Sequence, residues 1–245
     1  MKLKDLLEKY RAFRADKGYT CDICEKEIFG YPQPRVCENC EEELNRDRRK
    51  SCPVCGRKLV SEGVCNLCKS FRPTFARGIS VFAYEGLAAS AVNRLKTGKS
   101  YLSYYLAERM DEAFRSGLGG EWDRENAVIV CVPLTENAYK RRGYNQSEEL
   151  AKRLSERTSV PFLTDAVLKN RATKPQKRAK GKERERNVQG AYFVHSRKAV
   201  RGKTVLVVDD IMTTGATGNE MARILYAAGA KTVYFLTATA APERK

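Results

Sequence analysis

From about residue 78 onward the chain alternates short apolar runs with segments of helical spacing. Ile79–Tyr84 (ISVFAY) reads as a strand, and Leu87–Lys96 and Leu102–Phe114 read as helices parted by the Thr97-Gly98 pair. Val128–Val132 (VIVCV) is wholly apolar, as a strand buried on both faces should be. Ser147–Arg157 follows as a helix, with Asn145 or Ser147 available to cap it. Thr204–Val208 (TVLVV) is another buried strand. A helix near Asn219–Ala228, ended by Gly229, then leads to a last strand, Thr232–Thr237. This repetition predicts an α/β fold, a parallel sheet flanked by helices.

Upstream the pattern changes. Leu3, Leu6, Leu7 and Tyr10 recur at helical intervals among charged residues, so residues 1–20 are expected to form an amphipathic helix and not a signal peptide. The expected organisation is that helix, a cysteine-rich module over 21–75, and the α/β domain over 78–245. Within that domain Arg171–Arg186 stands apart. Eight basic residues face only Glu183 and Glu185, and no apolar period runs through the segment. It reads as a mobile loop, and its place between packed elements points to function.

Eight of the nine cysteines form four Cys-x-x-Cys pairs: Cys21/Cys24, Cys37/Cys40, Cys52/Cys55 and Cys65/Cys68. Each pair can turn two thiolates toward one ion, and two pairs complete the tetrahedron that zinc favours. Two four-cysteine structural sites in series are the simplest assignment, with interleaved pairing left open by spacing. A segment with so little core needs metal to hold its shape. No run of eighteen apolar residues appears, so no membrane span is expected. The reading is cytoplasmic, a reducing location that disfavours disulfides. Cys131, inside the VIVCV run, reads as core.

Lys and Arg total 46 against 30 Asp and Glu, a formal net charge of +16. Such an excess favours encounters with phosphorylated ligands or nucleic acid. The chemistry concentrates in Val205–Thr217, VLVVDDIMTTGAT. A strand ends at the carboxyl edge, where ligands of open α/β sheets bind. The small turn Thr213-Thr214-Gly215-Ala216-Thr217 lets backbone N–H groups approach a phosphate, and the following helix aims its positive end there. Asp209 and Asp210 suit vicinal ribose hydroxyls. No Gly-Lys-Ser/Thr follows a glycine-rich turn, as a P-loop needs, and the Gly-x-Gly-x-x-Gly of dinucleotide folds is missing.

Val205–Thr217 resembles the phosphoribosyl pyrophosphate signature of type I phosphoribosyltransferases. The wider chain is similar to the ComF competence family, through Cys52-Pro-Val-Cys-Gly56, Leu95-Lys96, Val132-Pro133-Leu134, Arg141-Arg142-Gly143-Tyr144-Asn145-Gln146, and Thr173-x-x-Gln176 followed by Arg186-Asn187. The resemblance implies that Asp209 and Asp210 take the ribose hydroxyls, while Thr213, Thr214, Gly215, Ala216 and Thr217 cradle the 5′-phosphate. Pro133, Leu134, Lys96, Lys140, Arg141 and Arg142 become candidates for the pyrophosphate side. The Arg171–Arg186 segment takes the place of the fold's lid. Magnesium would accompany the phosphoribosyl pyrophosphate, bound through the ligand's oxygens.

The resemblance also implies a part in DNA uptake, with single-stranded DNA and proteins of the competence machinery as partners. Tyr144, with Lys177, Arg178, Lys180 and Lys182, supplies a stacking face and charge for an unpaired strand. The expected activity is of transferase type with an unidentified acceptor. A metabolite-sensing binding protein and a nucleobase phosphoribosyltransferase of purine or pyrimidine metabolism are the alternatives. His195, the only histidine, reads as a surface residue.

Overall fold

The computed structural model describes residues 19–29, 34–118, 122–169 and 188–243. The expected helix over residues 1–20 lies outside these except for its last two residues. The basic loop Arg171–Arg186 lies outside them altogether. The chain divides into two compact units, 1–48 and 49–245.

In the first unit, strands β1 (Tyr19–Thr20) and β2 (Glu27–Ile28) pair antiparallel, and helix α1 spans Glu38–Asn45. Cys21 and Cys24 lie in the turn between the strands, while Cys37 occupies the N-cap of α1 and Cys40 lies within it.

The second unit opens with the Cys52/Cys55 turn and the short helix α2 (Asn66–Ser70), which Cys65 caps. The α/β layers follow: β3 (Arg77–Ala83), α3 (Gly86–Lys96), α4 (Leu102–Leu118), β4 (Ala127–Cys131), α5 (Glu136–Arg142) and α6 (Gln146–Thr158). Next come β5 (Val167–Lys169), β6 (Tyr192–Val194), α7 (Arg197–Val200), β7 (Thr204–Met212), α8 (Ala216–Ala227) and β8 (Thr232–Ala240). The central sheet has the order β3-β8-β7-β4 with every pair parallel. β5 and β6 form a separate antiparallel pair.

Alternation along the strands explains the layers. Val205, Val207, Val128, Val130, Val233 and Phe235 belong to one core, shared with α8, the β5–β6 pair and the Cys52–Cys68 segment. The other face receives α3, α4 and α6. On α4, Leu102, Leu106, Met110 and Phe114 are buried at intervals of four, the stripe a helix needs to lie on a sheet. Helices thus cover one face fully, whereas the other is completed by one helix, a hairpin and a cysteine knuckle.

Several boundaries and one whole element differ from the sequence pattern. β7 runs on to Met212, because Asp209 and Ile211 still pair with Thr237 and Thr239 of β8 after the apolar run has ended. α5 was not expected at all: none of its residues is buried, so it has no apolar stripe to betray it. It is held at its ends instead, by the Thr135 hydroxyl accepting from Ala138 N–H and by Gly143 in the left-handed region.

Candidate functional site

The site lies where β7 ends and α8 begins. Gly215, the N-cap of α8, has φ +88°, a conformation that costs any residue with a Cβ. No side chain crowds that position: a Cβ built there would meet nothing within 4 Å. The Thr214 hydroxyl accepts from Ala216 N–H at 3.3 Å and shapes the turn. The first-turn amides of α8 follow directly, carrying the partial positive charge that attracts anions. Thr213 is exposed, Thr214, Gly215 and Thr217 are half-buried, and Ala216 is buried.

Behind this turn lie two buried acids. Asp209 accepts from Ser147 Oγ at 2.8 Å and from the Asp210 backbone N–H at 2.9 Å. Asp210 lies 2.5 Å from Lys96 Nζ and accepts from Gln146 Nε2 at 3.4 Å. Burial, and then the neighbouring Asp210, push the Asp209 carboxyl up to about 8 although the Ser147 hydroxyl opposes them.

The β5–β6 pair brings further groups to the same place. Burial raises the Tyr192 phenol above the usual range, while the Thr217 side chain acts the other way. Lys169 Nζ lies 3.3 Å from the Tyr192 hydroxyl. Burial lowers its ammonium, while the charge of Asp209 pulls the other way. Glu220 of α8 accepts from Gly190 N–H at 2.7 Å, fastening the β6 end to the helix that follows the loop.

The eight paired cysteines gather into two groups, Cys21/Cys24/Cys37/Cys40 and Cys52/Cys55/Cys65/Cys68, each with its sulfurs within 4.8 Å of one another. Consecutive pairing is therefore the arrangement adopted. Within them Cys24 and Cys37, and likewise Cys55 and Cys65, place their sulfurs 3.7 Å apart. A tetrahedron with zinc–sulfur bonds of about 2.3 Å has edges of about 3.8 Å. Backbone N–H groups point at the sulfurs, Cys37 to Cys21 at 3.3 Å and Cys65 to Cys52 at 3.5 Å. Burial disfavours the Cys21 thiolate, but N–H groups of Cys24, Cys37 and Ile23 outweigh it and bring the thiol down to about 7. Both groups suit a zinc ion.

The phosphoribosyl transferase domain family matches residues 110–245, more than half of the chain. The DNA utilization protein YhgH of Escherichia coli K12 is 30% identical over 204 residues, covering 81% of this chain and 87% of that protein. The chain belongs to the ComF family. Competence protein ComFC of Bacillus subtilis is 25% identical over 234 residues, 91% of each chain. Competence protein F of Haemophilus influenzae is 26% identical over 219 residues, covering 89% of this chain and 88% of that protein.

The ComF motifs converge unequally on the loop. Lys96 reaches Asp210 directly. Arg142 reaches it through Gln146, donating to Gln146 Oε1 at 2.8 Å. Pro133 and Leu134 are half-buried just beyond β4, whose Cys131 pairs with Val208 of β7, so they leave the sheet at the same edge as Asp209. Lys140 and Arg141 are exposed, and Lys140 pairs with Glu136 at 2.6 Å. Tyr144 is half-buried and donates its hydroxyl to the Leu95 carbonyl. Lys177, Arg178, Lys180 and Lys182 lie outside the described residues. Cys131 is buried, and the His195 side chain is exposed.

Sequence reasoning gave no site role to Ser147, Lys169 or Tyr192. Of the two candidate caps, Asn145 and Ser147, Asn145 is the N-cap, accepting from Ser147 N–H at 3.1 Å. That leaves the Ser147 hydroxyl for Asp209. Lys169 and Tyr192 had no local signal, since only the pairing of β5 with β6 brings them together.

Proposed function

We propose that this ComF protein binds phosphoribosyl pyrophosphate at the Asp209–Thr217 loop and acts in the handling of single-stranded DNA during uptake. The observation that carries this reading is the pairing of two buried carboxylates with an open, left-handed glycine turn at the mouth of one parallel strand. The turn and the amides of α8 suit a phosphate monoester. Asp209 and Asp210 suit the two ribose hydroxyls, which donate to carboxylate oxygens. The names of the relatives, competence and DNA utilization proteins, support the biological setting.

The chemistry proposed is of phosphoribosyltransferase type. The anomeric carbon–oxygen bond breaks with its electron pair leaving on pyrophosphate, and a nitrogen nucleophile forms the new bond and gives up a proton. The protein contributes placement and charge. Lys96 and Arg142 add positive charge beside the acids, and Lys169 adds it from the hairpin side. Magnesium, held mainly by oxygens of the ligand, would neutralise the leaving pyrophosphate. A zinc ion in each cysteine group would serve the fold and not the reaction, because four thiolates leave no open position. The site is proposed to work in the cytoplasm.

Calorimetry with magnesium and phosphoribosyl pyrophosphate tests the pocket. Wild-type protein should bind, and the Asp209→Asn/Asp210→Asn double variant should lose binding. Equal affinity in the two would discard the pocket. Pyrophosphate release across a panel of bases, with and without single-stranded DNA, tests turnover.

A further inference from the structure

Arg57 follows the Cys52-Pro-Val-Cys-Gly56 knuckle and is a charged side chain only 4% exposed. A buried cation is costly unless partners meet it, so its contacts identify its task. One guanidinium nitrogen donates to the Thr213 carbonyl at 2.6 Å, and another donates to the Ala241 carbonyl at 3.0 Å. The first acceptor belongs to the phosphate loop. The second follows β8, and Ala241 N–H returns to the Met212 carbonyl at 2.8 Å. Arg57 thus grips the ends of the two central strands where the loop departs.

The knuckle that carries Arg57 is itself seated firmly. Gly56 lies so close to β3 that a Cβ there would sit 2.5 Å from Ser80 N, against backbone that cannot yield. Gly78 N–H donates to the Val54 carbonyl at 2.8 Å. Beyond β8, the Glu243 carboxylate accepts from Asn66 N–H at 2.8 Å, a second strap from the same segment. Arg57 is also tied to the metal group through its backbone, its carbonyl accepting from Cys52 N–H at 2.8 Å. Four thiolates around a divalent ion carry a net charge of about −2, which a guanidinium offsets.

We infer that Arg57 is a positioning residue through which the Cys52/Cys55/Cys65/Cys68 metal group holds the phosphate loop in its binding shape. The geometry gives the reason. In a trans peptide the carbonyl and the next N–H point in opposite directions. Drawing the Thr213 carbonyl down to Arg57 turns the Thr214 N–H the other way, fixing the amide plane at the base of the turn. Without that grip the loop samples other orientations, and apparent affinity falls by the fraction of time it is misplaced. The inference rests on reading the loop as a phosphoribosyl pyrophosphate site and the cysteine group as a zinc site.

The full chain as Arg57→Met and Arg57→Lys tests it, with zinc measured by elemental analysis. Two readouts are compared with wild type: phosphoribosyl pyrophosphate affinity, and amide hydrogen exchange of peptides spanning residues 210–217. Arg57→Met should keep its zinc, bind at least about tenfold more weakly, and exchange at least about tenfold faster across the loop. Arg57→Lys, whose donors all sit on one nitrogen and do not span the two carbonyls as the two guanidinium nitrogens do, should fall between the two and decides the matter if Arg57→Met does not fold. Zinc removal through Cys68→Ser should speed loop exchange in the Arg57 background and add little in Arg57→Met. Wild-type loop exchange in folded, zinc-loaded Arg57→Met, or in Arg57→Lys, overturns the inference. If wild-type protein binds no phosphoribosyl pyrophosphate, the ligand reading fails while the exchange comparison still judges Arg57.

Discussion

Lys96 Nζ lies 2.5 Å from Asp210 Oδ2, joining the last residue of α3 to the second of the two adjacent acids on β7. Both side chains are largely sheltered, 22% and 4% exposed, so water screens the pair weakly. Removing one partner would leave a buried charge unpaired, which matters more than the pair's own net worth.

Lys96→Met is therefore expected to destabilise the fold by roughly 3 kcal/mol. Adding Asp210→Asn to that variant should recover much of the loss, because it removes the orphaned charge. Urea denaturation of the two single variants and the double variant measures the coupling. Additive effects would show that the two side chains do not depend on each other.

Asp209 makes stability and ligand binding respond oppositely to pH. Its carboxyl is raised to about 8 in the fold, so unfolding at neutral pH releases a proton that the native state keeps. Its contribution to ligand-free stability is full below about 4, the range of an unperturbed Asp, and is lost as pH climbs through about 8. Accepting a ribose hydroxyl favours the ionised form, so affinity should rise over that same climb. Thermal melts and calorimetry from pH 6 to 9 should show both trends, and Asp209→Asn should flatten them. Trends that persist in Asp209→Asn belong to another group.

Gly215→Ala puts a Cβ on a residue with φ +88°. The expected cost is about 1–2 kcal/mol, or a shift of the turn that weakens phosphate binding. Melting temperature and ligand affinity together report it, since one or the other must fall.

Zinc content should be about two ions per chain, and Cys24→Ser or Cys55→Ser should each reduce it to about one. The effects on stability should differ. Cys52, Cys55 and Cys65 belong to the core that contains Val205, Val207 and Phe235, so Cys55→Ser should lower the melting of the α/β unit. Cys24→Ser should leave that transition in place, because its group belongs to the 1–48 unit.

Affinity for single-stranded DNA should fall steeply with added salt, as expected when basic side chains displace counterions. Replacing Lys177, Arg178, Lys180 and Lys182 by Ala should weaken binding and flatten the slope. A filter-binding titration at several salt concentrations suffices. A salt-independent affinity would remove these residues from the interface.

How much of this was legible in the sequence depended on whether the signal was local. The VLVV run, the adjacent acids and the small turn are contiguous, so strand, loop and helix could be read together. The Cys-x-x-Cys spacing likewise announced its chemistry, though only folding decided that consecutive pairs join. Ser147, Lys169 and Arg57 carried no such mark. Each is an ordinary polar residue whose partner is distant in sequence: 62 positions from Ser147 to Asp209, and 156 from Arg57 to Thr213. Tertiary packing creates those relationships, and periodicity cannot contain them. The end of β7 was misjudged for a related reason, since ladder hydrogen bonds continue past the last apolar residue when the neighbouring strand is still there to receive them.

The most direct test is a crystal of the protein soaked with phosphoribosyl pyrophosphate and magnesium. The account predicts the 5′-phosphate against the amides of residues 213–217, with the ribose hydroxyls on Asp209 and Asp210. Ordered ligand bound elsewhere, with this loop unchanged and empty, would contradict it.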